Sequence, residues 1–76
     1  MSNNVKQFLE MKNKLKEIRI KGGLTVTEFA RKANVATRTI TRIEAGEGNS
    51  KIETLNRIVN TLNELLNKNY SFEEIF

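Results

Sequence analysis

The sequence predicts an all-α domain of five helices. Three observations carry that expectation. The chain of 76 residues has no proline and only four glycines, and its apolar residues recur at helical rather than alternating spacing. Helix-start signatures, a Ser or Thr followed three residues later by Glu, recur at Thr25, Ser50 and Ser71. The stretch Leu24–Gly46, LTVTEFARKANVATRTITRIEAG, reads as two short helices joined by a tight turn.

The first helix is expected to start after Asn4, with Gln7 at N3 completing a weaker capping box. Phe8, Met11, Leu15 and Ile18 form its stripe, flanked by Val5 and Leu9, and Gly22-Gly23 ends it. The second helix opens on Thr25 as N-cap with Glu28 at N3, and Leu24 and Phe29 can staple across the cap. It runs to about Ala33 and buries Phe29, Ala30 and Ala33. Asn34 tolerates the left-handed conformation needed to leave it.

The third helix is expected from near Thr37 to Gly46, a good C′ residue. Projected at the helical period, Ile40 and Ile43 fall on one side with Thr39 between them. Thr37, Arg38, Thr41, Arg42 and Ala45 fall on the other, within an arc of roughly 140°. Two isoleucines thus clamp a helix that displays two arginines and two threonines, with Glu44 off the edge of that face. A cationic, hydroxyl-bearing face without carboxylates suits a DNA major groove. Arg can fork onto guanine O6 and N7, and Thr can offer its hydroxyl or touch a thymine methyl. A solvated face is the plainer alternative; the turn and the helix before it favour the groove.

In the fourth helix Ile52, Leu55, Ile58, Val59, Leu62, Leu65 and Leu66 project within roughly 140°. Asn56, Asn60, Asn63, Glu64 and Asn67 line the other side, and Ser50 with Glu53 supplies a capping box at its start. Asn69 can terminate it. Ser71-Phe72-Glu73-Glu74 opens a fifth, terminal helix, with Tyr70 and Ile75 as its staple.

Composition bounds the function. A single domain this short buries only about 60% of its unfolded surface and is marginal alone. There is no cysteine, histidine or aspartate, so no disulfide and no thiolate metal site is on offer, and the commonest general base is missing, which leaves only lysine or glutamate chemistry with nothing to mark a pocket. Gly22-Gly23 follows a helix and lacks the strand and lysine of a phosphate-binding loop. No enzymatic activity, cofactor or metal is expected. No apolar run approaches a membrane span and no signal h-region opens the chain, so a cytoplasmic protein without a membrane partner is expected. Of the net charge of +4, Lys12–Arg42 holds nine basic residues against Glu17 and Glu28, a local +7. Residues 58–76 hold one lysine against Glu64, Glu73 and Glu74, a local −2. Positive charge concentrated on the two-helix stretch is the footprint of a polyanion binder, with steeply salt-dependent affinity.

The ordered set Leu15, Ile18-Arg19, Leu24-Thr25, Glu28-Phe29-Ala30, Val35, Thr39-Ile40, Arg42-Ile43-Glu44, Gly46, Asn49 and Ile52-Glu53-Thr54-Leu55 resembles the helix-turn-helix domain of the lambda-repressor and Cro type. The resemblance covers about residues 11–62, and Ser71–Phe76 is similar to the family's closing helix. It implies a five-helix lambda-repressor-like domain spanning 1–76, with the helix-turn-helix at 24–46 and a helix extension and closing helix at 63–76. It makes the helix bearing Thr37–Ala45 the recognition helix, braced by the helix before it. Thr37, Arg38, Thr41 and Arg42 are then base-edge candidates. Thr25, Val26, Thr27, Arg19, Asn49 and Lys51 are phosphate candidates. The resemblance also implies that Arg19 and Glu44 form a buried or half-buried ion pair, the preferred role for Arg19.

Several residues depart from the family pattern. Val26 replaces a common Gln, so backbone amides and the Thr25 and Thr27 hydroxyls are left for a phosphate. Ala36 stands where a Ser or Thr usually caps the recognition helix, so Thr37 either caps it or reads a base. Glu47 and Gly48 replace usual basic residues, and Ser50 a usual proline; the amides of Asn49, Ser50 and Lys51 can still hold a phosphate. Asn63–Lys68 extend the fourth helix by about six residues beyond the usual stop. Residues 1–10 form an N-terminal extension, expected to pack through Val5, Phe8 and Leu9 on the domain or a second subunit rather than to serve as a DNA arm.

Leu65, Leu66, Tyr70, Phe72, Ile75 and Phe76 are either a lid over the domain's own core or a homodimer interface, and the dimer is the favoured reading. The functional expectation is a dimeric, sequence-specific regulator on double-stranded DNA, a repressor of phage, plasmid or bacterial control circuits. Its two recognition helices would meet major grooves about 34 Å apart on a near-palindromic operator. The alternative is a protein-interaction module of the same fold, antitoxin-like or an accessory subunit. No small-molecule ligand is expected.

Overall fold

The computed structural model describes residues 13–47 and 50–76, so the N-terminal extension, Gly48 and Asn49 lie outside the described residues. Among the described residues the fold is helical, without strands: α1 Leu15–Lys21, α2 Val26–Ala33, α3 Thr37–Glu44, α4 Ile52–Leu66 and α5 Phe72–Ile75.

The helix α1 does not run unbroken from Asn4. Asn13 and Lys14 are outside it, and the Leu15 N–H donates to Asn13 Oδ1 at 3.1 Å. An Asn side chain that satisfies a first-turn amide starts a helix rather than continuing one. The helix leaves through Gly23 at φ 75°, where Leu24 N–H donates to Arg19 O and Gly23 N–H to Ile20 O. That pair of bonds closes the last carbonyls and needs a residue that tolerates positive φ.

Thr25 caps α2, its Oγ1 accepting from Glu28 N–H at 3.0 Å. The helix exits at Asn34, φ 61°, with Val35 N–H on Ala30 O. The exit from α3 has the same form at Gly46, φ 76°, with Glu47 N–H on Arg42 O.

Two expected boundaries of α4 shift. Its N-cap is Lys51, not Ser50, so the Ser50–Glu53 capping box does not form. It ends at Leu66 because Asn67, not Asn69, takes the left-handed conformation at φ 55° and Lys68 N–H closes onto Asn63 O. The extension past Leu62 is therefore four residues rather than six. Ile52, at one edge of the projected apolar arc and in the first turn, is 61% exposed instead of buried. A single turn, α5, stands on the full Ser71–Glu74 capping box.

In the packed domain α2 lies against α3 and α4, and α5 folds back on α4. The core is Leu15, Phe29, Ala30, Ala33, Ile40, Ile43, Ile58, Val59, Leu62 and Ile75. Each helix contributes to it, α3 through Ile40 and Ile43.

Candidate nucleic-acid interface

The helix α3 is held from behind. Ile40 and Ile43 are buried, and Thr37, Arg38, Thr41, Arg42 and Ala45 are exposed on the opposite side, as the helical projection requires. Among the described residues neither Arg38 nor Arg42 is paired with a carboxylate. The N-cap is Ala36, without a side-chain cap, and this makes Thr37 the first helical residue. Thr37 is therefore not the cap and its side chain stays on the exposed face. Thr41 Oγ1 donates to the Arg38 carbonyl at 3.0 Å, a local bond that commits the hydroxyl proton.

Three bonds fix the far end of α3. Arg19 Nε donates to Glu44 Oε2 and its Nη2 to Glu44 Oε1 at 3.1 Å, with both residues buried. Arg19 Nη1 also donates to Leu24 O at 2.8 Å, joining the α1–α2 turn to the same node. Asn13 Nδ2 donates to Ile43 O at 2.8 Å. Arg19 thus serves as an internal strut. With its guanidinium buried and directed at Glu44 and Leu24, it is not placed as a phosphate ligand.

The other phosphate candidates scatter. Thr25 and Thr27 are exposed at the start of α2, where free amides and the positive helix end favour an anion. Val26 is half-buried and packs against the core, so the side chain that replaces a donor works as an apolar contact. Lys51 is exposed at the start of α4. Asn49 lies outside the described residues.

The tail residues lie over their own domain. Ile75 is 1% exposed, its carbonyl accepts Lys14 N–H at 2.9 Å, and Leu65, Leu66, Tyr70, Phe72 and Phe76 pack half-buried on the core. Ile75 is thereby a core residue and not a free interface residue. Asn63 holds this tail down, donating Nδ2 to Tyr70 O at 2.9 Å and accepting Tyr70 N–H at 2.8 Å.

The bond from Asn13 to the Ile43 carbonyl has no signature in the sequence, because only tertiary folding brings that carbonyl near, whereas Asn63 reaches Tyr70 seven residues on. The Asn63 position on the polar side of α4 was the one hint.

No helix among the described residues is long and apolar enough to cross a membrane. A family model described as Helix-turn-helix matches residues 15–67. No curated protein and no solved structure matches the chain.

Proposed function

Because the chain belongs to the XRE and lambda-repressor-like helix-turn-helix family, we propose that it is a sequence-specific transcriptional regulator of double-stranded DNA. The observation that carries this reading is the outward, carboxylate-free face of α3, with Arg38 and Arg42 exposed over buried Ile40 and Ile43. Arg38 and Arg42 would read guanine edges, flanked by Thr37 and Thr41. Thr25, Thr27 and the start of α2, with Lys51 at the start of α4, would grip phosphates and set the register.

The regulator acts in the cytoplasm as a homodimer on a near-palindromic operator, as a repressor in a phage, plasmid or bacterial circuit. Support for the dimer is indirect. One small domain presents few phosphate contacts, and the half-buried Leu65, Leu66, Tyr70, Phe72 and Phe76 leave apolar surface for a second copy. Regulation then comes from concentration, dimerisation or a protein partner.

A selection from randomised duplex DNA tests the reading. The wild type is expected to enrich one motif with two related halves. An Arg38→Ala, Arg42→Ala double variant, folded by circular dichroism, is expected to lose it, at about 1–3 kcal/mol per bidentate contact removed. Failure of the wild type to enrich any motif at moderate salt would transfer the protein to the interaction-module reading, antitoxin-like or accessory.

A further inference from the structure

The recognition face carries a methyl row beside its arginines, and the Thr41 hydroxyl decides how that row works. Thr41 Oγ1 donates to the carbonyl of Arg38, one turn back on the same helix, at 3.0 Å. A helical Thr has two good rotamers because of such bonds, so the bond also selects the rotamer. The hydroxyl has one proton. With that proton engaged, Thr41 meets a docked groove without a free donor, through its γ-methyl and oxygen lone pairs. Thr41 is exposed, and Ala45, one turn on, adds an exposed methyl on the same side of α3. Arg38 and Arg42 lie beside them with the hydrogen-bonding capacity that the row lacks.

We infer that Thr41 is a specificity residue that selects a thymine by contact with its C5 methyl, and not a hydrogen-bond donor to a base. The inference rests on the DNA-reading role proposed above and assigns one position of the half-site. In the major groove only thymine presents a methyl, and Thr and Ala methyls are its natural contacts.

The test replaces thymines of the selected duplex, one position per half, by uracil, which removes the methyl and leaves base pairing intact. For the wild type, one such position is expected to weaken binding about fourfold, the Kd ratio that corresponds to ~0.8 kcal/mol for a buried methylene-sized group. Thr41→Val keeps a methyl and removes the hydroxyl, so it retains both the affinity and the uracil penalty. Thr41→Ser keeps the hydroxyl and removes the methyl, so it binds the thymine duplex about fourfold more weakly and is indifferent to uracil at that position. The DNA-side comparison uses unmodified protein and so does not depend on how the variants fold. Specific binding by the wild type that is unaffected by uracil at every position, or lost in Thr41→Val but kept in Thr41→Ser, overturns this inference and leaves the DNA-binding role standing. No specific binding at all overturns both.

Discussion

Arg19 shows how one side chain can join three segments. Its guanidinium reaches Glu44 at the end of α3 and the Leu24 carbonyl before α2 while rooted in α1. Both partners of the ion pair are buried, at 7% and 9% exposed. Arg19→Met leaves the Glu44 carboxylate buried without a partner, and a loss of about 3–5 kcal/mol is expected in urea denaturation. Adding Glu44→Leu to it is expected to recover much of that loss, since an apolar pair of similar volume can replace a buried ion pair. The pairing of these two residues was readable from the family pattern. The ion pair was also the preferred role for Arg19 there; the choice left open, buried or half-buried, is set by how deeply the packed helices enclose the guanidinium. The role of Thr37 was similarly open: a Thr near a helix start is a cap or a reader until the backbone assigns the N-cap, here Ala36.

The helices end more uniformly than they begin. Four of them leave through a left-handed residue, Gly23, Asn34, Gly46 and Asn67, each with the following amide closing onto a carbonyl of the last turn. Glycine and asparagine are the residues that take this conformation cheaply, and so helix ends were visible in the chain to within a residue or two. Two adjacent glycines in the α1–α2 turn have different reasons. Gly23 has open space around it but a φ of 75°, so Gly23→Ala is expected to cost about 1–2 kcal/mol through backbone strain alone. Gly22 has ordinary φ but lies under Leu66, whose Cδ1 would stand 3.0 Å from an added Cβ and whose Cδ2 would be nearer still. Gly22→Ala is therefore expected to be the cheaper change, below about 1 kcal/mol, because the end of the half-buried Leu66 side chain can turn aside. A double-mutant cycle with Leu66→Ala separates the two: it is expected to relieve the Gly22→Ala penalty and leave the Gly23→Ala penalty unchanged.

The shortest helix among the described residues closes the domain. With α5 supplying Ile75 to a core built from every other helix, and its carbonyl to Lys14, the tail joins the two ends of the described chain. Ile75→Ala is expected to cost about 2–5 kcal/mol. The loss should be the same in thermal melts at protein concentrations tenfold apart, since the residue is covered by its own chain. A loss that shrinks on dilution, as wild type and variant both become monomers, would return Ile75 to the subunit interface. Such a lid also limits what a second copy can cover, to the half-buried apolar residues beside Ile75 rather than Ile75 itself.

Local chemistry specified most of the elements and the outward face of α3. Helical period, caps and left-handed exits act over a few residues, so they are written in adjacent letters, and two isoleucines three apart orient a helix of eight residues wherever it packs. What folding had to settle was partnership across distance. Asn13 with Ile43 spans 30 positions, the depth at which Arg19 and Glu44 are enclosed depends on the helices around them, and the fate of the tail rested on whether the core had room for Ile75. Those choices compare burial against exposure for one side chain among competing surfaces, and that comparison exists only once the helices are packed together.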